Sequence, residues 1–278
     1  MAADQHGDDS ATIPPDIEVN LAIHRPHSAR VYDYFLGGKT NFPADREVAG
    51  HVLAVYPQAP AAARANRGFM QRATQALAKA GIDQFLDIGT GIPTSPNLHE
   101  VAQGIDPRAR IVYADNDPIV LTHAQALLRS TPEGRTAYVQ ADVRDPAAAL
   151  AAVRETGVLD FTRPIALSLV ALLHFTADDA HDIAEAFKAA LPTPGSALVV
   201  SHFTPDYAPQ DAARITQVYR DAGSPVRART RADFARFFDG WNLLDPGIAS
   251  TPRWRPEPDT PQIADADASC LAGVAIRP

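Results

Sequence analysis

The chemistry most legible in this chain lies in a few carboxylates and two glycines. Phe85–Thr94 reads FLDIGTGIPT: a short apolar run, then Gly89-Thr90-Gly91 two residues after Asp87. Glycines at this spacing let the backbone turn tightly and let a ligand lie against it with no side chain between. A dinucleotide site asks for G-x-G-x-x-G, and the last position of that pattern is Thr94 here. An acidic residue two before the first glycine of G-x-G remains, which suits a single nucleoside. Asp115 ends a second apolar run and is followed by Asn116; a carboxylate there accepts from ribose hydroxyls. Asp117 reads as a helix cap. Asp142-Val143 follows a third run, where the carboxylate could accept from an exocyclic adenine amine while valine covers the ring, or serve only as a loop residue.

Two histidines and a polar N-terminal cluster are candidates for the reaction itself. His174 lies just past a fourth apolar run and His202 ends a fifth. A neutral imidazole at such an edge can take a proton near pH 7, and a histidine packed beneath a loop explains the same residues without chemistry. Arg30, Tyr32, Asp33, Tyr34, Gly37, Gly38, Lys39 and Asn41 fall within twelve residues. A helical hairpin there could close as a lid, with Arg30 or Lys39 meeting a carboxylate and Tyr32 or Tyr34 lining the reaction path, or it could simply dock on the body. Arg64 and Arg67, with Asn66, pose the same choice. Arg227, Arg229, Arg231 and Arg236 read as a solvated face balanced by nearby aspartates. No metal site is expected: the histidines lack companions at ligand spacing.

Strand–helix alternation is what must position these residues. Runs at Gln84–Gly89, Arg110–Asp115, Thr136–Ala141, Ile165–Leu172 and Ala197–His202 read as strands. Helices open at Ser95-Pro96, at Asp117-Pro118 (carrying Leu121, Ala124 and Leu128), at Asp145-Pro146 and at Thr176, with Asp178 and Asp179 in the positive first turn of the last. The spacing predicts an α/β fold with a doubly wound, mostly parallel sheet. After His202 the alternation breaks. Thr204–Gly240 is an insertion with two helices, and the extended segments Trp241–Ala249 and Ser269–Ile276, joined without a helix, must pair antiparallel. Ahead of the sheet, helices are predicted over Ser28–Leu36, ended by Gly37-Gly38, from Thr40 or Asn41 to about Tyr56, and over about Ala65–Ala80 after a linker Pro57–Ala63. The organisation expected is a disordered lead-in (1–20), a helical lid or extension (21–81) and a Rossmann-like domain (82–278) interrupted by the insertion at 204–240.

Composition narrows the function. At 278 residues, 46% apolar and 21% charged, the chain can bury a full core. A net charge of −8 argues against nucleic acid or an anionic membrane as the main partner. The single cysteine, Cys270, forbids an internal disulfide. No apolar run approaches a membrane span, the first residues are too acidic for a signal peptide, and a cytoplasmic location is expected.

FLDIGTG, VYADNDP, the Ala141-Asp142-Val143 turn and the terminal hairpin resemble class I methyltransferases that use S-adenosylmethionine. More narrowly, RVYDYFLGGKTNFPADR, ARANRGFMQRA, FLDIGTGIPT, VYADNDPIVL and ARFFDGWNLLDPGI resemble an actinobacterial S-adenosylmethionine-dependent family whose acceptor is not defined, over about His24 to Arg277. The resemblance implies a seven-stranded sheet with its last strand inserted antiparallel and S-adenosyl-L-methionine as cofactor. The implied cofactor pocket comprises Asp87, Gly89, Thr90, Gly91, Asp115, Asn116, Asp142 and Val143, with Arg30 and Lys39 as further candidates. Pro93 stands where the class has a third glycine; its fixed φ stiffens the turn and removes a donor. Methyl transfer needs alignment, exclusion of water and, for some acceptors, a base, for which His174, Tyr32 and Tyr34 are the candidates. The Asn/Asp-Pro-Pro-Tyr/Phe signature of amine methylation is missing after the fourth strand, and so is a cysteine for the cytosine C5 route. Those absences argue against DNA as the acceptor and name no other; the expectation is a small-molecule O or N acceptor of secondary metabolism, with no nucleic-acid or membrane partner and the oligomeric state open. The alternatives are a non-catalytic S-adenosylmethionine-binding regulator and a nicotinamide-dependent oxidoreductase.

Overall fold

The computed structural model describes residues 22–127, 129–176, 178–224 and 226–278, without the side chains of 125–127; the expected lead-in at 1–20 and the position of Leu128 lie outside the described residues. Three helices come first: α1 (Ser28–Phe35), α2 (Pro43–Val55) and α3 (Ala59–Lys79). They are followed by β1 (Gln84–Ile88), α4 (Leu98–Gln103), β2 (Arg110–Asp115), α5 (Pro118–Leu127), β3 (Arg135–Gln140), α6 (Pro146–Glu155) and β4 (Ala166–Val170). Then come α7 (Ala180–Ala189), β5 (Ala197–Phe203), α8 (Pro209–Asp221), α9 (Arg231–Ala235), β6 (Asn242–Leu243), β7 (Ala249–Ser250), α10 (Asp265–Ala268) and β8 (Cys270–Ile276).

Among the described residues the strands form one eight-stranded sheet in the order β3-β2-β1-β4-β5-β8-β6, with β7 also paired to β8. The strands β1 to β5 are parallel and β8 runs antiparallel against β5, Phe203 opposite Cys270 and Ala197 opposite Ile276. The expected penultimate strand, Trp241–Ala249, divides into two short pieces on β8, which gives eight strands rather than seven. The strand order reverses between β1 and β4, and at such a switch point the loops leaving the carboxyl ends diverge and open a crevice.

Apolar layers cover both faces. One holds Leu86, Val112 and Leu167 against Leu150, Ile183, Phe187 and Phe234; the other holds Phe85, Ile111 and Val274 against Phe69, Leu77 and Trp254. On α3 the buried residues Ala63, Asn66, Phe69, Met70, Ala73 and Leu77 recur every three or four positions, so one stripe of the helix faces inward. A third cluster joins α1, α2 and α8 through Val31, Phe35, Val52 and Ile215.

Several local readings need correction. α3 begins at Ala59, with Pro60 in its first turn, where proline's missing N–H is harmless, so Pro57–Ala63 is mostly helix rather than linker. α2 is capped at Phe42 instead of Thr40 or Asn41, because the Asp45 carboxylate accepts the Phe42 N–H at 2.8 Å. α4 starts at Leu98 after Asn97, not at Ser95: the chain bends at Ser95-Pro96, and Arg67 donates to the carbonyls of Thr94 and Pro96 on that bend. Thr176 closes a 3-10 turn by donating to Leu173 O at 2.9 Å, and α7 begins only at Ala180 with Asp179 as its cap. Among the described residues no helix is long and apolar enough to cross a membrane.

Candidate active site

β1 delivers the glycine turn. Gly89 and Gly91 both have left-handed backbones, φ +71° and +68°, and Gly89 N donates to Ala114 O at 2.7 Å, tying the turn to β2. A Cβ on Gly89 would stand 2.5 Å from Leu172 Cδ1, whereas one on Gly91 would meet nothing within 4 Å. Gly89 thus lets the β4 exit close over the turn, and Gly91 bares its backbone to open space. The Asp87 carboxylate accepts from Thr90 Oγ1 at 2.7 Å, and burial pushes its pKa up to about 6.

At the β2 exit Asp115 accepts from Gly91 N at 2.8 Å and from Asp117 N at 2.9 Å, so one carboxylate closes the first loop onto the second. Burial raises its pKa. Asp117 caps α5, accepting from Ile119 N at 2.9 Å. At the β3 exit Asp142 accepts from Arg144 Nε at 2.9 and 3.0 Å; this pairing holds its carboxyl below the usual range. Asn116 bonds Asp142 and meets His27 Nε2 through Oδ1 at 3.2 Å.

These groups line one cavity of about 330 Å3, within the roughly 300–1,000 Å3 of ligand pockets. Asp87, Gly89, Thr90, Gly91, Asp115, Asn116, Asp142 and Val143 all face it. Its other wall comes from the N-terminal helices, with Ala29 and Tyr32 from α1 and Asn66, Arg67 and Met70 from α3. An adjoining cavity of about 120 Å3 lies between α1, α2, α3 and α8 and shares Ser28, Tyr32, Asn66, Ala171 and Phe175 with the first. Ala171 itself holds φ +53°, a strained value for alanine, with its N–H on Ser201 Oγ at 2.9 Å.

The chain matches the model of the S-adenosyl methyltransferase family over residues 16–278. It belongs to that family. The methyltransferase is similar to a solved protein of the DUF574 family from Streptomyces avermitilis, with 48% identity, TM-score 0.89, and coverage of 93% of this chain and all of that one. It is also similar to a proposed methyltransferase of Thermobifida fusca, at 39% identity and TM-score 0.84 over 92% of this chain and 97% of that one. An O-methyltransferase family protein from Burkholderia thailandensis, 14% identical with TM-score 0.53 over 92% of this chain and 66% of that one, shares the fold. No curated protein matches the sequence. Membership makes the chain an S-adenosylmethionine-dependent methyltransferase with S-adenosyl-L-methionine as its cofactor, which sets aside the nicotinamide reading.

The structure moves several expected site residues. Lys39 is exposed and outside both cavities. Arg30 is also outside them, 2% exposed, with Nε 3.2 Å from Asp117 and 3.6 Å from Asp45; it clasps α1 to α2 and to the β2 exit. Replacing it with methionine strands two buried carboxylates, so a loss of about 3–5 kcal/mol is expected, as in other broken buried pairs. Differential scanning calorimetry should show a markedly lower Tm, with cofactor affinity per folded molecule preserved; an unchanged Tm would contradict the clasp. Asp33 accepts from Thr40 N and Asn41 Nδ2, so Gly38–Asn41 is wound around a carboxylate for structural reasons. Tyr34 packs edge-on to Phe35 away from both cavities.

Tyr32 does face both cavities, but its hydroxyl donates to Ala63 O and accepts from Asn66 Nδ2, each at 2.9 Å, and burial pushes its pKa up to about 12. It is no proton acceptor near neutrality. His174 lines the smaller cavity, and burial drives its conjugate acid down to about 3. His202 is fully buried with Nδ1 on Phe203 O at 2.7 Å and Nε2 facing Arg229 Nη1 at 2.9 Å, a neutral structural residue. Arg229 is buried with it rather than solvated. Among the described residues no three His, Cys, Asp or Glu side chains are grouped to hold a metal. Of the undecided group Arg64, Asn66 and Arg67, the latter two line the larger cavity; His27 lines it too and was not singled out, its signal being its position one before α1.

Proposed function

We propose that this methyltransferase acts on a small-molecule O or N acceptor, in a site formed by Asp87–Gly91, Asp115, Asp142, Val143 and Arg67. The observation that carries the reading is the convergence of the β1, β2 and β3 exits on one cavity walled on its far side by α1 and α3, the proposed helical extension. A confined approach of this kind suits a compact acceptor better than a nucleic-acid strand, as does the negative net charge.

The site's residues fit the cofactor. Asp115 is placed to accept from ribose hydroxyls, Asp142 and Val143 flank the position for the base, and the bare Gly91 backbone leaves room beside them. Arg67 takes the part expected of Arg30 and Lys39: with Arg144 paired to Asp142, it is the lining cation whose donors, beyond the Nη2 bonded to Thr94 and Pro96, can meet a carboxylate. Asp87 is the carboxylate available to the cofactor's positive charge. When bound, S-adenosylmethionine supplies an electrophilic methyl group on a cationic sulfur. An acceptor lone pair would take that methyl as the carbon–sulfur bond breaks, with the acceptor's proton leaving to water. Within the cavity the chain orients, screens from bulk water and stabilises charge.

This reading makes cofactor affinity pH-dependent. With its pKa at about 6, Asp87 in the free protein is protonated below that value. A bound cation favours the carboxylate, so affinity should improve by up to about tenfold per pH unit as pH rises toward 6, then level off. In the ligand-free protein the sign is opposite: a raised carboxyl pKa contributes stability at low pH that is lost as pH rises through about 6. Calorimetric titrations between pH 5 and 7.5 should show the rise, and Asp87→Asn should flatten it; a flat wild-type profile would remove Asp87 from this role. Methyl transfer is tested by incubating the enzyme and labelled cofactor with whole-cell extract and then separating small molecules, nucleic acid and protein. Label should appear in low-mass products, and label confined to nucleic acid or protein would overturn the proposal.

A further inference from the structure

The smaller cavity differs in chemistry from its neighbour. The larger one presents Asp87, Asp115, Asp142, Arg67 and Arg144, whereas among the described lining residues of the smaller one none carries a charge. Phe35, Val52, Ile215 and Tyr219 make it apolar. Among its polar groups His174 stands out: 9% exposed, it has no hydrogen-bond partner at either ring nitrogen, and Nδ1 is sealed from solvent in that state. Buried polar atoms are seldom left this way. Of the other polar groups on the wall, Tyr32 is committed to Ala63 and Asn66, Asn66 Oδ1 to Ser201 Oγ at 2.5 Å, Tyr56 to Asp267 O and Ser269 to Ala266 O.

We propose that this chamber holds the methyl acceptor as a single uncharged aromatic ring bearing a hydroxyl, a phenol-class molecule, whose hydroxyl hydrogen-bonds to the imidazole of His174. The inference rests on the methyl-transfer reading and names its substrate class. Size sets the single ring: about 120 Å3 is close to the engineered apolar cavity of roughly 150 Å3 that takes benzene in another protein. Charge sets neutrality, since an ionic acceptor would meet no counter-charge on this wall. A neutral imidazole offers one donor and one acceptor, and burial keeps His174 neutral at physiological pH. The hydroxyl oxygen keeps a lone pair for the new bond. The ring of His174 lies 4.4 Å from that of Phe175, one of the residues shared by the two cavities, which sets the hydroxyl beside the common wall. His174 is thus a substrate-positioning residue, and the proton of the reacting hydroxyl passes to water.

The test begins by titrating S-adenosylhomocysteine into the protein; absence of binding here would overturn the cofactor site itself. With that ligand saturating, p-cresol, toluene and benzoate are titrated by calorimetry. Saturable binding of p-cresol is expected, with toluene about tenfold weaker for want of one hydrogen bond and benzoate weaker still. His174→Phe should erase the preference for p-cresol over toluene. Ala62→Phe, which fills the chamber from a lining position outside the larger cavity, should abolish p-cresol binding while S-adenosylhomocysteine still binds. Benzoate binding as well as p-cresol, or no p-cresol binding to the saturated wild-type protein, would overturn the chamber assignment and leave the cofactor site standing; the wild-type series decides even if a variant does not fold.

Discussion

Replacing Asp115 with alanine is expected to weaken S-adenosylmethionine binding about 100-fold or more. The carboxylate already holds two loops together through Gly91 N and Asp117 N, and it faces the cavity. Hydrogen bonds to a charged partner contribute about 1.5–3 kcal/mol each. Two ribose hydroxyls together make about 3 kcal/mol at the low end, or roughly two powers of ten in Kd. Loosening the two loops adds to the loss. Asp115→Asn should fall between wild type and alanine, because the amide oxygen still accepts but carries no charge. Isothermal titration with folded, matched proteins measures this, and an affinity within about threefold of wild type would withdraw the ribose assignment.

Gly89→Ala and Gly91→Ala should separate fold from function within a single turn. Both positions force alanine into the left-handed region, at about 1–2 kcal/mol each. Only Gly89 adds a collision, with Leu172 Cδ1 at 2.5 Å and Cδ2 at 2.8 Å, and overpacking typically costs a further 1–3 kcal/mol, roughly. Gly89→Ala is therefore expected to lose about 2–5 kcal/mol, a Tm drop of roughly 5–15 °C in a chain this size. Gly91→Ala should lose less stability, yet its methyl would sit where the backbone now borders the cavity and so weaken the cofactor more per folded molecule. Thermal scans paired with cofactor titrations read both effects. A larger Tm loss for Gly91→Ala than for Gly89→Ala would contradict the packing described for Leu172.

The sheet and the sheet-side wall of the larger cavity were legible because they depend on local grammar. Apolar runs each ending in or just before an aspartate recur in register, the first also carrying a positive-φ glycine pair, so β1 through β3 deliver their carboxylates to one edge without help from distant sequence. The far wall was harder to read. Arg30, Lys39 and Arg67 are equally basic in sequence, and only the packing of α1 against Asp45 and Asp117 turns Arg30 inward as a clasp while the phase of α3 points Arg67 at the cavity. Tyr32 and His174 carried another ambiguity. Their types suggest proton transfer, but their basicity is set by burial among residues far apart in the chain, such as Asn66, Phe203 and Arg229. The Arg227–Arg236 run misled for the same reason: its composition reads as solvated, yet Arg229 reaches inward to His202.

The central claim is that one cavity, bounded by Asp87–Gly91, Asp115 and Asp142 on the sheet side and by α1 and α3 opposite, takes the cofactor. A crystal structure with S-adenosylhomocysteine tests it most directly. The account predicts ribose oxygens within hydrogen-bonding distance of Asp115, the base beside Asp142 and Val143, and the amino-acid end toward Arg67. Density for the ligand elsewhere, or in this cavity with Asp115 contacting no ribose oxygen, would contradict it.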